Sequence, residues 1–311
     1  MQIVKIENLV KRYGDLIAID HLNLSINQGD IVGLLGPNGC GKSTTVNCLL
    51  SLLKYDKGNI EVFGKKMTPN NYGAKRNIGI VPQEVAVLDE LTVYQNIDYF
   101  CGLYVQDKKE REELVQEAIK FVGLEDFTKF LPKKLSGGLL RRLNIACGIA
   151  HKPKLIILYE PTVAVDPQSR NKILDGVVEL NKLGATIIYI THYMEELEQI
   201  SNNIIIMDKG KAIAQGTRQE LKSMIKTGET LNIEAMDLTT NHLTDIQKLN
   251  NVISAEIIDS KLVIKCSSGS NNLMRVLEYL NTNHLIYTSV MSETPTLNEV
   301  FLEMTGKQLR D

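Results

Sequence analysis

The chain has 311 residues, 43% hydrophobic and 23% charged, ordinary values for a globular protein with room for about two domains. Lys+Arg 35 against Asp+Glu 37 leaves a formal charge of −2, so no bulk electrostatic attraction draws it to nucleic acid or to an anionic membrane. No apolar run approaches the roughly 18–20 residues that cross a bilayer, and the five scattered cysteines contain no C-x-x-C pair, which argues against a zinc site or disulfide framework and for reduced cytosolic thiols.

The first residues open directly into a strand pattern rather than a signal peptide. Strands are predicted over 3–9 and 18–26, the second alternating through Leu22, Leu24 and Ile26 as a half-buried antiparallel strand does. The apolar run 30–35 leads into a glycine-rich stretch, and Val46, Leu49, Leu50 and Leu53 give the following segment a helical period. Short strands follow over 59–64 and 78–81. From about 84 to 150 the texture turns helical, with one apolar face at Val93, Ile97, Phe100, Leu103 and Tyr104 and another at Leu114, Ala118, Phe121 and Val122. A third helix covers 139–149. The continuous apolar run 155–159 reads as a strand buried on both faces, and with a helix over 168–182 and a strand over 186–190 it makes a βαβ unit. Residues 204–215 form a closing hairpin. From 218 onward the order strand, helix, hairpin (252–258 and 262–266, turning at 259–261), helix, strand suggests a ferredoxin-like α+β module, followed by a last helix over 297–304. The expected fold is therefore an α/β P-loop core with an antiparallel part and a helical subdomain (1–217), plus a small α+β domain (218–311).

The stretch Gly36-Pro37-Asn38-Gly39-Cys40-Gly41-Lys42-Ser43-Thr44 fits G-x-x-x-x-G-K-[ST] between a strand and a helix. Glycines let successive amides turn inward on an anion, and the helix start adds its positive dipole end. Lys42 reaches β- and γ-phosphates, and the Ser43 hydroxyl ligates Mg²⁺. A dinucleotide loop is excluded, because no third glycine follows Gly41 at the required spacing. Glu160 ends the buried strand, where α/β sheets present their ligands, and it is placed to hold a water in line with a γ-phosphate.

These motifs, with Gln83 after a strand, Leu135-Ser136-Gly137-Gly138, Glu160-Pro161-Thr162, Asp166-Pro167 and Thr191-His192 in that order, resemble the ATP-binding subunits of ABC transporters over residues 1 to about 217. Residues 296–306 resemble the end of subunits serving multidrug and antibiotic exporters. The resemblance implies an ATPase using ATP and Mg²⁺, with Tyr13 against adenine and Gln83 at the metal or attacking water. Glu160 would polarise that water and His192 would contact the γ-phosphate. It further implies a homodimer or heterodimer in which Ser136, Gly137 and Gly138 complete the opposite subunit's site, and Asp166 links the two sites. The motion would pass through the helical subdomain to a separate membrane permease, with the subunit on the cytoplasmic face of the membrane.

Tyr159 departs from that pattern, which has aspartate there to order the Mg²⁺ shell. A tyrosine is neutral at its usual pKa of about 10 and offers no anionic oxygen. A hydrolysis-impaired, ATP-holding subunit is therefore a second reading. A DNA-repair or translation ABC protein is a third, disfavoured by the single cassette and the absence of sustained heptads. Leu139, Leu140 and Val163-Ala164-Val165 are further departures. Cys40 reads as a tolerated small side chain rather than a redox switch.

Overall fold

The computed structural model describes residues 1–236, 238–258, 261–269 and 271–306. The chain divides into two compact units between Thr217 and Arg218.

In the first unit, β1 (Gln2–Tyr13) and β2 (Leu16–Asn27) form a long antiparallel hairpin. The sequence indicates only the apolar middles of these strands; the polar ends extend them to the turn at Gly14. β3 (Ile31–Leu35) leads to α1 (Lys42–Leu49), which stops earlier than the apolar period suggests because Ser51 turns left-handed at φ 54°. β4 (Lys57–Val62) and β5 (Lys65–Lys66) complete a sheet of order β2-β1-β4-β5. After the short α2 (Tyr72–Lys75) and β6 (Ile78–Val81) come the three helices of the insert: α3 (Val93–Gly102), α4 (Lys108–Val122) and α5 (Gly137–Ile149). β7 (Leu155–Tyr159), α6 (Pro167–Lys182), β8 (Thr186–Ile190), α7 (Met194–Ile200), β9 (Asn203–Asp208) and β10 (Lys211–Gly216) finish the unit.

The second sheet runs β10-β9-β3-β8-β7-β6, with β3, β6, β7, β8 and β9 parallel and only β10 antiparallel. Its central strands are buried along their length, as parallel strands covered on both faces must be. The carboxyl ends of β3, β7 and β8 deliver the phosphate loop, Glu160 and His192 to one edge of the sheet. On α3 the buried stripe is Val93, Ile97 and Cys101, whereas Leu103 is 57% exposed because the helix ends at Gly102. On α4 the buried positions are Val115, Ala118, Ile119 and Val122.

Within the second unit, α8 (Arg218–Ser223), β11 (Thr227–Ala235), α9 (Thr240–Gln247), β12 (Val252–Ile258), β13 (Lys261–Ser267), α10 (Asn272–Thr282), β14 (Tyr287–Glu293) and α11 (Leu297–Thr305) follow in order. Residues 259 and 260 of the expected hairpin turn lie outside the described residues. The sheet order β12-β13-β11-β14, antiparallel at every pairing, is the ferredoxin-like arrangement of a βαββαβ chain. Leu231, Ile233, Ile264, Val276 and Leu280 share one core. Thr230, of opposite parity to Leu231, bonds Glu299 of α11, and Lys226 N donates to Glu303 at 2.7 Å, so the last helix is tied to β11 and its approach.

His151, just beyond α5, stacks on Tyr104 with ring centroids 3.9 Å apart, and burial pulls its pKa down to about 4. The folded state thus excludes a proton that the unfolded chain takes up near pH 6.5. Stability is full above that pH and is lost as pH falls toward 4, by about 2–3 kcal/mol from this group. Urea unfolding of the wild type and a His151→Phe variant across pH 4–7 is expected to show that slope only in the wild type. Equal slopes would rule it out.

Candidate functional site

The phosphate loop begins at Gly36, where β3 ends. Gly41 adopts φ 105°, and a Cβ there would sit 2.6 Å from the Ala18 carbonyl oxygen, so only glycine fits. No side chain caps α1, which leaves its first-turn amides to other acceptors. Lys42 folds back across the loop, its Nζ donating to Gly36 O at 2.6 Å and Pro37 O at 3.1 Å. Asn38, Gly39 and Ser43 are exposed; Cys40 is buried, and burial raises its thiol pKa, so the expected inert role for this cysteine agrees with its surroundings. Strand, glycine turn, uncapped helix and folded lysine are the parts an anion-binding loop requires.

Tyr159 ends β7 beside this loop. Its hydroxyl is buried without a hydrogen-bond partner of ordinary geometry. Burial drives its pKa upward, and the neighbouring Ser43 hydroxyl opposes the rise. The orphaned oxygen therefore lies next to the side chain expected to hold Mg²⁺. Mg²⁺ keeps several waters and takes few protein ligands alongside substrate phosphates. Ser43 and Gln83, both exposed neutral oxygen donors, fit such a role; the carboxylate that would order the water shell is missing. Among the described residues no cluster of three acidic, histidine or cysteine side chains forms an independent metal site.

Glu160 lies one residue further on, in the left-handed region at φ 42°, its N–H donating to Ile190 O at 2.8 Å. Strain of this kind persists only where the surroundings enforce it. Its carboxylate meets His192 Nδ1 at 2.8 Å. Gln83 is exposed on the loop after β6, while the preceding Pro82 carbonyl is held by Arg141 and Asn144. Tyr13, 49% exposed at the hairpin end, carries the Lys11 ammonium 4.9 Å from its ring centroid.

Ser136 caps α5 by accepting from Leu139 N. A Cβ on Gly138 would come within 2.7 Å of Ser169 Oγ, so this end of α5 packs against the first turn of α6, which Asp166 caps. The Ser136-Gly137-Gly138 turn thus contacts the 164–169 loop of its own chain. In that loop Ala164 sits at φ 58°, where glycine is relaxed. An Ala164→Gly variant is expected to gain up to about 1 kcal/mol, read as a raised thermal midpoint; a lowered midpoint would contradict the strain.

A buried network that the sequence reading does not include lies behind the site. Glu196, 1% exposed, accepts from Thr162 Oγ1 (2.6 Å) and Tyr189 Oη (2.8 Å) and pairs with Arg170 Nε (2.8 Å). The Arg170 guanidinium lies 5.0 Å from the Tyr193 ring, which in turn lies 4.1 Å from His192. The one available signal was Glu196 standing one residue before Leu197 and four before Ile200 on the apolar side of α7.

This fold and loop define a P-loop nucleotide-binding protein of the mixed-sheet, helical-insert type. The ABC transporter family model matches residues 19–163, and a model described as ATP-binding protein DrrA1-3-like, C-terminal domain, matches residues 216–305. The linearmycin resistance ATP-binding protein LnrL of Bacillus subtilis is 36% identical over 98% of this chain and 99% of its own. The daunorubicin/doxorubicin resistance ATP-binding protein DrrA of Streptomyces peucetius is 34% identical over 99% and 94%. Among solved structures, a dimeric post-hydrolysis state of an ATP-binding cassette bound to ADP and Pi is 28% identical with TM-score 0.62, covering 69% of this chain and 98% of that one. A Clostridium perfringens protein described as part of an ABC transporter complex is 31% identical with TM-score 0.66, covering 71% and 90%. The chain belongs to the ABC transporter ATP-binding family.

Proposed function

We propose that this chain is the ATP-binding subunit of an exporter, held on the inner face of the cell membrane by a separate membrane permease and coupling ATP binding and hydrolysis to transport through it. The observation that carries the reading is the convergence of Lys42, Ser43, Glu160 and His192 at the carboxyl ends of the parallel strands of one sheet. Lys42 and the α1 amides bind the phosphates, Tyr13 takes the adenine, and Ser43 with Gln83 holds Mg²⁺. The metal supplies charge neutralisation at the phosphates when bound. Glu160 orients the attacking water, and His192 steadies it and the developing charge. Ser136, Gly137 and Gly138 act on the nucleotide of a second subunit, so two cassettes close head to tail, as homodimer or heterodimer, with Asp166 between the sites. Residues 1–217 form the ATP-binding domain and the remainder an accessory domain. The resistance named for two relatives makes an antibiotic the first substrate class to test.

Titration with a fluorescent ATP analogue is expected to show saturable binding that Lys42→Ala weakens at least tenfold. Unchanged binding in that variant would overturn the assignment.

Tyr159 supports a second reading, a hydrolysis-impaired subunit that holds ATP beside an active partner. The observation favouring it is the buried, uncharged phenol beside Ser43 at the position where a carboxylate would order the metal's waters.

A further inference from the structure

We propose that Arg141 is a positioning residue that couples the Gln83 loop, the Glu160 end of β7 and the helix starting beyond Ser136, so that these parts of the site move as one. The proposal rests on the ATP-binding reading, since it concerns how that site responds to nucleotide.

Arg141 lies on α5 and is 4% exposed. A guanidinium so deeply buried ordinarily pairs with a carboxylate in contact. This one instead spreads its fork over two backbone carbonyls: Nη1 donates to Pro82 O at 3.1 Å and Nη2 to Glu160 O at 3.2 Å. The negative Glu160 side chain favours the cation against burial. Both carbonyls belong to the site itself. Pro82 immediately precedes Gln83, and Glu160 is held left-handed, so a bond to its carbonyl helps fix the direction of its side chain. Only the planar arginine fork spans two diverging acceptors in this way; a lysine ammonium offers a point charge.

The same helix makes two further attachments, one on either side. Gly138, upstream, packs on Ser169. Asn144, one turn downstream, donates to the same Pro82 O at 3.2 Å and accepts from Ala86 N at 3.0 Å. A helix fixed at three successive points transmits a displacement rather than absorbing it. Movement of the Gln83 loop therefore reaches Glu160 through Arg141, and reaches the Ser136 turn through the rigid α5. Asn144 provides the contrast, because it grips the loop without touching Glu160.

A purely packing role for Arg141 would lower stability and leave the folded protein's response to nucleotide unchanged. Hydrogen exchange of the full chain, with and without ATP and Mg²⁺, separates the two. In the wild type, ATP is expected to slow exchange at 83–88 and at 160–164 together. Arg141→Gln is expected to lose at least tenfold of that protection at both segments, with ATP affinity within threefold of wild type. Arg141→Lys restores part of it, and Asn144→Ala loses protection at 83–88 alone. Wild-type protection at both segments in folded Arg141→Gln overturns the proposal, as does equal loss at both segments in Asn144→Ala. Should Arg141→Gln fail to fold, a loss confined to 83–88 in Asn144→Ala with partial loss at both segments in Arg141→Lys supports the coupling, and wild-type patterns in both variants refute it. A wild type that binds no ATP in the same titration refutes the nucleotide reading instead.

Discussion

Tyr159→Asp is expected to raise Mg²⁺-dependent ATP turnover at least tenfold, about 1.4 kcal/mol of barrier or more. The tyrosine hydroxyl is buried beside Ser43 without a hydrogen bond of ordinary geometry, and burial pushes its pKa up. Mg²⁺ demands hard, near-octahedral oxygen donors and gives up its waters reluctantly. A carboxylate at this position would accept from those waters and steady the metal's shell; the phenol supplies no negative charge. Tyr159 also packs against the apolar core, so exchange for aspartate removes packed ring area and costs stability. Tyr159→Asn controls for this, matching the size without the charge. Phosphate release measured with and without Mg²⁺ should rise for aspartate alone. A folded aspartate variant no faster than wild type would show that Tyr159 does not limit hydrolysis. It would then favour the active-subunit reading or place the limit elsewhere.

The contrast between Tyr159 and the network behind it shows what a sequence discloses. Local chemistry is legible: the loop from Gly36 to Thr44 needs its glycines, lysine and serine at fixed spacing, and the runs before it and at 155–159 and 186–190 are too apolar to lie anywhere but inside a sheet. The strand order of the second unit follows from the alternation of strand and helix, since few compact arrangements accommodate it. Long-range polar contacts leave no periodic trace. Nothing in the sequence around Arg141 points to Pro82, 59 residues away, which the fold brings against it. The helix α7 is only seven residues long, two turns in which three glutamates conceal the buried positions Met194, Leu197 and Ile200. Leu103 errs the other way. Its apolar character suits the stripe of α3, yet the helix stops at Gly102 and the core contact passes to Cys101. Termini of elements are decided by caps and by residues such as Ser51 that turn left-handed, and no apolar period registers them.

Removing the Glu196 carboxylate is expected to destabilise the fold strongly. Glu196→Ala leaves Thr162 and the fully buried Tyr189 hydroxyl without their acceptor and Arg170 without its ion pair. Breaking a buried pair costs about 3–5 kcal/mol. Arg170 keeps about a third of its side chain in water, 32%, and turns outward to recover hydration, so the loss falls at the lower end, about 3 kcal/mol. Glu196→Gln retains an acceptor for Thr162 or Tyr189 but no charge for Arg170, and about half that loss is expected. The effect extends to the site. Arg170 released from Glu196 leaves the Tyr193 ring it now faces, and Tyr193 no longer backs the His192 ring that meets Glu160. A double-mutant cycle between Glu196→Gln and Arg170→Met, followed by urea unfolding, should give a coupling of about 1–2 kcal/mol. The same variants, assayed for turnover in the Tyr159→Asp background, should lower kcat with the KM for ATP unchanged, because the phosphate loop does not touch the network. Additive energies, or a rise in KM with kcat intact, would show that Glu196 merely fills its place in the core and does not align His192.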